Sequence, residues 1–458
     1  MTWFHDFDAE LALDQYPVGD AFTKKFTSLS RDELYAQQNA SFLRLVARAS
    51  SIAFYQKLWA ASGVQAGDIK SLEDLSKLPA FGKSEIMASI EAHPPYGDFH
   101  GMSAGDRVVL HTTSGTTGRP QPMLYGVRGR EIQNLLLARA YRFQGLRDDD
   151  VVHSIYGFGM VNGGHYIREA ILHFTRAMLL PAGTGVETRS ARQVQLMNDF
   201  RVTVLLGFAD YMRKLGETAI ELGLEPGRDI PLRLISGHMG RESKDAISHL
   251  WGGATVLDWY GVGDTGIIAA EGPDQDGLYL FEDAHLVEIL GTESGQPVPD
   301  GHPGNLVTTV LFKDDIYPMI RFNTQDVTRI LPGQSALGIN LRRIEGFLGR
   351  SDNMVKIRGI NVYPHAIAAW LGHFRDLNGE YLCEVSRHDG RDELCVRLET
   401  RDEQRRVDNN LATAVRQHLA AQLGVDVVVQ LEAPGGLDRL TEVLVRQKAI
   451  RLVDRRFD

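Results

Sequence analysis

The stretch His111-Thr-Thr-Ser-Gly-Thr-Thr-Gly-Arg-Pro120 lies between two short apolar runs, Val108-Val-Leu110 and Met123-Leu-Tyr125. Two strands joined by a loop of hydroxyls and glycines form a backbone cradle for an anion. Small residues let main-chain N–H groups close around phosphate oxygens, and the Ser and Thr hydroxyls add donors. Arg119 contributes a fixed, forked positive charge. The loop is not of the Walker type, because no Gly-Lys-Ser/Thr closes it and no helix pattern starts at its end.

Outward from this loop, the chain reads as a multidomain globular protein. Its 458 residues are 43% hydrophobic and 24% charged, with a formal net charge of −10 and a pI near 5.9. That balance supports a substantial core and argues against a general nucleic-acid binder. Two cysteines, Cys383 and Cys395, are too few to staple such a chain and show no metal spacing, which fits a reducing cytoplasm. The acidic start, Met-Thr-Trp-Phe-His-Asp-Phe-Asp, predicts no signal peptide, and no apolar run approaches membrane-spanning length.

Residues before ~100 read as helical, with Ser30-Arg-Asp-Glu33 as a capping box ahead of the apolar face Leu34, Phe42, Leu45 and Val46. From residue 106 strands and helices alternate. Val151–Tyr156, Met178–Leu180, Val202–Leu206, Leu232–Ser236 and Ala254–Tyr260 read as strands. Amphipathic segments between them predict a helix-covered, mostly parallel sheet of the α/β class. Ligands of such sheets sit at the carboxyl ends of strands. Here those ends are Tyr156-Gly-Phe-Gly159, Gly207-Phe-Ala-Asp210, Gly237-His238 and Tyr260-Gly261. Residues ~275–348 predict a small β-subdomain, and a compact α+β pattern follows a boundary at Ser351-Asp352, giving domains 1–350 and 351–458.

Two tempting motifs fail on context. Gly101-Met-Ser-Ala-Gly105 matches a hydrolase elbow but is preceded by polar Gly97-Asp-Phe-His and followed by a strand, the inverse of what the serine needs. Gly261-Val-Gly-Asp-Thr-Gly266 matches a dinucleotide fingerprint, yet Ile267-Ile-Ala-Ala270 is too short for the required helix.

An ordered set of motifs discriminates better. The Ser/Thr/Gly loop is followed by Asp258-Trp-Tyr-Gly-Val-Gly-Asp264, then Ile320-Arg-Phe-Asn-Thr-Gln-Asp326, then Gly349-Arg-Ser-Asp352 with Lys356 and Gly359, and finally Gln447-Lys448. Together they resemble the adenylate-forming (ANL) superfamily over nearly the whole chain, and most of all its phenylacetate–CoA ligase branch. The resemblance implies a large adenylation domain with a smaller, mobile C-terminal domain. It also implies an AMP-forming acid–CoA ligase: a carboxylate attacks the α-phosphate of ATP to give acyl-AMP and pyrophosphate, and coenzyme A then takes the acyl group. ATP, Mg²⁺ and coenzyme A are the implied ligands, with no nucleic-acid or membrane partner and room for a homodimer.

Residue by residue, the resemblance implies that Ser114, Gly115, Thr116, Thr117, Gly118 and Arg119 grip the β- and γ-phosphates. Asp258, Tyr260 and Gly261 would bind the nucleotide, with Tyr260 near the adenine, Asp326 at the ribose, and Arg350 at the ribose and phosphate. Asp264 would serve the metal, Asp352 the hinge, Lys448 the attacking carboxylate, and Lys356 with Gly359 the thioester step. Tyr156, Asn162, Tyr166, Gly237 and His238 would form the acid pocket.

Several positions depart from the family pattern. Gly263-Asp264 stands where a hydroxyl residue and Glu are usual, which shortens the carboxylate by one methylene. Gln447 stands where Gly precedes the lysine. No cysteine follows Tyr260-Gly261, so no zinc is expected there. Gly237-His-Met239 replaces Gly-Ala-Glu, and a histidine takes volume and offers a hydrogen-bonding nitrogen. With Asn162 and Tyr166 nearby, this predicts a small or polar acid such as 2-hydroxyisobutyrate. Phenylacetate or another aryl acid is the alternative, a carrier thiol could replace coenzyme A, and Asp264 with Gln447 also suits a nucleotide-binding homologue without ligase activity.

Overall fold

The computed structural model describes residues 3–113, 120–240, 242–352, 355–357, 360–388, 391–443 and 449–456. The chain divides into two compact units, Met1–Pro181 with Leu257–Gly346, and Ala182–Val256 with Phe347–Asp458.

The first unit starts with the helices Ala9–Gln15, Asp20–Ser28, Arg31–Ala49, Ala53–Ala61 and Lys83–Ala92. The capping box forms as read: the Ser30 side chain accepts from the Glu33 N–H, and the Glu33 carboxylate accepts from the Ser30 N–H at 2.9 Å. Such a cap contributes about 1 kcal/mol and sets where Arg31–Ala49 starts. Leu34, Phe42, Leu45 and Val46 all lie in the core. The helices are tied to the rest of their unit by buried cations. Arg139 lies against the rings of Phe22 and Phe281, donates to the Pro17 carbonyl, and makes a bidentate pair with Asp283. Arg321 likewise pairs Glu288 through both arms and donates to the Leu78 carbonyl.

Val108–Thr112 pairs antiparallel with Pro122–Gly126, so the hydroxyl-rich stretch does join two strands. The helix Val127–Phe143 follows at once. The sequence reading misses it, because its buried positions carry Arg130, Glu131, Gln133, Asn134 and Arg139. Val151–Ser154 and Met178–Pro181 then pair in parallel across the helix Gly163–Phe174. Thr255–Val262, Gly266–Glu271 and Leu278–Leu280 run antiparallel, and His285–Leu290, Gly304–Val310 and Phe322–Thr328 form an antiparallel β-layer. Gly266–Glu271 is a strand, which confirms why the glycine fingerprint before it binds no dinucleotide in the manner of a helix start.

In the second unit Val204–Phe208 and Leu234–His238 pair in parallel, with Ala209–Glu221 as the connecting helix. The chain after Phe347 carries a four-stranded sheet in the order Val428–Glu432, Arg391–Thr400, Leu377–His388, Leu452–Asp454. The helix Asn409–Leu423 covers it, capped by Asp408 and ended by Gly424 at φ 71°, a left-handed position that suits glycine. Cys383 and Cys395 are both free thiols. The chain is therefore a mixed α/β protein with a separate α+β C-terminal domain. Among the described residues no helix is long and apolar enough to cross a membrane.

Candidate active site

Residues Ser114, Gly115, Thr116, Thr117, Gly118 and Arg119 lie outside the described residues, but the stem that closes them is described. The Thr113 N–H donates to the Gln121 carbonyl at 3.0 Å, and the Gln121 N–H donates to Thr113 Oγ1 at 3.1 Å. The buried Gln121 side chain then reaches across the fold, donating from Nε2 to Asp264 Oδ1 at 2.6 Å. Tyr317 donates its hydroxyl to the same oxygen at 2.8 Å. Lys313, also buried, donates Nζ to the Asp264 carbonyl and sits over the rings of Tyr125 and Tyr317, 5.0 and 5.1 Å from their centroids. Burial pushes Lys313 down to about 8, against the pull of Asp264 and Asp315, and burial also raises the Asp264 carboxyl against its three partners.

A divalent cation fits the oxygens here. Asp264 Oδ2 carries no hydrogen bond among the described residues, and Gln121 Oε1 is buried without a partner among them. Carboxylate and amide carbonyl oxygens are what Mg²⁺ takes. No group of three His, Cys, Asp or Glu converges among the described residues, so such an ion would complete its shell from ligand or water oxygens.

Tyr260 and Asp326, far apart in sequence, come together. The Tyr260 hydroxyl donates to Asp326 Oδ2 at 2.8 Å and to Thr324 Oγ1 at 3.2 Å. The Thr324 hydroxyl is the centre of this arrangement. It donates to the Leu306 carbonyl at 2.9 Å and accepts from the Asp326 N–H at 3.1 Å. Here the pairing with Gly304–Val310 breaks register between Asn305 and Val307, and Gln325 takes φ 60° with its N–H on Asn323 Oδ1. The bulge lifts Asp326 from the ladder. Asp258, also buried, accepts at its carbonyl from Gln144 and donates its N–H to Glu271. Gly261 is required by close approach: a Cβ there would stand 2.4 Å from the Gly266 carbonyl oxygen.

Of the residues expected around the acid, Tyr156 is buried with its ring 6.3 Å from that of Trp259. Asn162, at the start of Gly163–Phe174, accepts from Arg130 Nη1 at 2.5 Å and donates to the Tyr125 hydroxyl at 3.3 Å. Arg130 lies over both Tyr125 and Tyr166 and pairs Glu169 at 2.6 Å, while its Nη2 finds no acceptor among the described residues. Tyr166 accepts from the Ile267 N–H and donates to the Gln133 carbonyl, bracing two elements. The Tyr125 hydroxyl continues the web to the Gly263 carbonyl, next to Asp264. His111 packs against Tyr125 and His165, and burial together with Arg130 pushes it down to about 4, so it is neutral.

In the second unit the His238 ring stacks on Phe208, centroids 4.9 Å apart. Gly237 pairs Gly207 so closely that a Cβ would lie 1.9 Å from the Gly207 carbonyl oxygen, which leaves glycine as the residue that fits. Arg350 grips Asp352 through Nε and Nη2 at 2.7 and 2.6 Å. Lys356 lies on the strand Val355–Ile357, whereas Gly359 and Lys448 fall outside the described residues. A further cluster was not foreseen: Arg451, buried, pairs Glu380 at 2.7 Å and Asp210 at 3.0 Å, and Glu380 also takes Arg213. Beside it burial, and then Asp210, push Glu242 up to about 8.

Sequence reasoning also missed Gln121, Tyr125, Arg130, Lys313 and Tyr317. None of them belongs to a motif, and their partners come from distant segments of the chain.

Residues 28–309 match the family described as AMP-binding enzyme, and residues 359–456 match the AMP-binding enzyme C-terminal domain. The chain belongs to the AMP-binding enzyme family, and the superfamily read from its motifs stands. It is 32% identical to phenylacetate–coenzyme A ligase of Pseudomonas putida over 404 residues, 85% of this chain and 88% of that one. It is 30% identical to the phenylacetate–coenzyme A ligase of Escherichia coli (strain K12) over 90% of this chain and 93% of that one. Among solved structures, 2-hydroxyisobutyryl-CoA ligase in the postadenylation state with 2-HIB-AMP matches with a TM-score of 0.83 at 27% identity, covering 94% of this chain and 92% of that one. The same ligase with 2-HIB-AMP and CoA in the thioesterification state matches at 0.68 and 28% identity, covering 95% and 92%. The chain is an AMP-forming acid–CoA ligase whose substrates are a carboxylic acid, ATP and coenzyme A.

Proposed function

We propose that the acid is small and polar, of the 2-hydroxyisobutyrate type. The observation that carries this is the polar pair Arg130–Asn162: a buried guanidinium whose Nη2 has no acceptor among the described residues, bonded to Asn162 at the end of the Tyr156–Asn162 segment. Polar groups at this point of the fold suit an acid that carries a hydroxyl better than a bare aromatic ring, because a site built to hydrogen-bond a hydroxyl rejects analogues lacking it. His238, replacing a small residue, and the likeness to 2-hydroxyisobutyryl-CoA ligase support the same reading. Phenylacetate is the second reading, favoured by the 32% identity to a phenylacetate–coenzyme A ligase.

In this reading Ser114–Arg119 hold the β- and γ-phosphates, Tyr260 faces the adenine, Asp326 accepts from the ribose hydroxyls, and Arg350 reaches the ribose and phosphate. Lys448 neutralises the carboxylate as one of its oxygens bonds the α-phosphorus and pyrophosphate departs. The coenzyme A thiolate then attacks the acyl carbon and AMP leaves, with Gly359 and Lys356 beside the thiol. Asp264, oriented by Gln121, would hold Mg²⁺, which would supply positive charge to the triphosphate. The C-terminal domain that changes place between steps runs from residue 351 to 458, hinged at Asp352, and a homodimer is the proposed assembly. In this reading the enzyme is cytoplasmic, with no nucleic-acid or membrane partner, which its two free cysteines and net charge of −10 support.

Acid-dependent exchange of labelled pyrophosphate into ATP tests the reading. Exchange is expected with 2-hydroxyisobutyrate, and Lys448→Ala should abolish it while sparing coenzyme A transfer from supplied acyl-AMP. Tight ATP binding with no exchange across a broad acid panel would favour a nucleotide-binding protein instead.

A further inference from the structure

The aspartate at position 264 is one methylene shorter than the glutamate usual in the family, and the fold shows what makes up the difference. The Gln121 side chain, anchored on the stem of the phosphate loop, extends to Asp264 and donates to Oδ1 at 2.6 Å. Tyr317 donates to the same oxygen, and Gln121 Nε2 is 3.3 Å from the Tyr317 hydroxyl, so the three groups close a ring. All three side chains are buried, with Gln121 at 1% exposure and Asp264 at 6%. Both hydrogen bonds fall on Oδ1, and Oδ2 carries none among the described residues. Main-chain clamps act alongside: Tyr125 on the Gly263 carbonyl and Lys313 on the Asp264 carbonyl. These contacts hold the backbone at 263–264, so the position of the carboxylate depends on the short side chain.

We infer that Gln121 and Asp264 are a compensated pair, in which Gln121 is a positioning residue that sets the reach and orientation of the Asp264 carboxylate relative to the phosphate loop. The inference rests on the proposed metal role of Asp264. Its physical content is a coupling. With Gln121 removed, Oδ1 keeps only Tyr317 and the carboxylate turns away from the stem. With Asp264 lengthened to Glu and Gln121 kept, the extra methylene drives the carboxylate into donors already at 2.6 and 2.8 Å. Making both changes gives the longer side chain the room that Gln121 vacates, so the two losses should cancel rather than multiply.

The test is Mn²⁺ affinity, read by electron paramagnetic resonance on the full-length protein saturated with α,β-methylene-ATP. Wild type, Gln121→Ala, Asp264→Glu and the double variant form the cycle, with Asp264→Asn as control. Each single change should weaken Mn²⁺ binding by roughly tenfold, and the double variant should return to within about threefold of wild type. A merely structural Gln121 would lower the melting temperature without this pattern. Should Gln121→Ala not melt cooperatively, Gln121→Met, which keeps the volume and loses the donor, takes its place as the single variant. Recovery of cooperative melting in the double variant from an unfolded Asp264→Glu also supports the pairing. A double variant near a hundredfold weaker, the product of the singles, overturns it, as do single changes without effect. The control separates the two layers. If Asp264→Asn binds Mn²⁺ like wild type, the metal reading itself falls, and if Asp264→Asn is weak while the cycle is multiplicative, only the pairing falls.

Discussion

Replacing Thr324 by valine removes one hydroxyl and keeps the shape of the side chain. That hydroxyl makes three contacts: it donates to the Leu306 carbonyl at 2.9 Å and accepts from the Asp326 N–H at 3.1 Å and the Tyr260 hydroxyl at 3.2 Å. Tyr260 keeps Asp326 Oδ2 as its acceptor, so two buried backbone groups are left without the bond Thr324 gave them. At about 1–3 kcal/mol for each orphaned group, with some relaxation, a destabilisation of about 2–4 kcal/mol is expected. The bulge that carries Asp326 then loosens, and loss of its proposed hydrogen bond to the ribose should raise KM for ATP by roughly 10–100-fold with kcat little changed. Steady-state kinetics at saturating acid and coenzyme A, together with urea denaturation, read both effects. Thr324→Ser restores the hydroxyl and should recover most of each. A Thr324→Val enzyme with wild-type stability and wild-type KM for ATP would refute the account of how this strand presents Asp326.

Other outcomes follow from the same structure. Gln325 sits at φ 60°, where a side chain costs ~1 kcal/mol, so Gln325→Gly should raise the urea midpoint slightly with KM for ATP within about twofold, while Gln325→Val should lower it. Glu242 is raised to about 8 by burial, then by Asp210, while Arg213 and Arg451 oppose the shift and Glu380 adds to it. A carboxyl with a raised folded value contributes stability that is full below its ordinary range near 4.5 and is lost as pH climbs toward 8. Melting temperatures of wild type should therefore fall between pH 5 and pH 8 more steeply than those of Glu242→Gln. The His238 ring stacked on Phe208 occupies room near the strand end, so His238→Ala should shift the kcat/KM ratio toward phenylacetate by about tenfold, and an unchanged ratio would remove His238 from the acid pocket.

Much of the fold was legible because local chemistry and long-range packing agree. The Ser30–Glu33 cap, the strands on either side of the phosphate loop, and the strand that replaces a Rossmann helix after Gly266 all form as their residues indicate. The helix Val127–Phe143 did not show. Its inward face carries charges and amides whose partners, such as Asp283 for Arg139 and Asn162 for Arg130, come from distant segments, so a hydrophobic period reading meets polar residues where it looks for apolar ones. The site divides in the same way. Motif order picked out Tyr260, Asp264 and Asp326, but not Gln121, Lys313 and Tyr317, whose meaning comes from contacts more than forty residues along the chain. Asp264 looked like a weakness in the sequence, and only the fold shows the donors gathered around it.

The central claim is that this acid–CoA ligase takes a small hydroxylated acid in preference to an aryl one. The most direct measurement offers equimolar 2-hydroxyisobutyrate and phenylacetate to the enzyme with ATP, Mg²⁺ and limiting coenzyme A, and weighs the two acyl-CoA products by mass spectrometry. Their ratio is the ratio of the two kcat/KM values. We expect 2-hydroxyisobutyryl-CoA in at least about tenfold excess, because a site that hydrogen-bonds a hydroxyl discriminates against an acid without one. Phenylacetyl-CoA as the main product would contradict it.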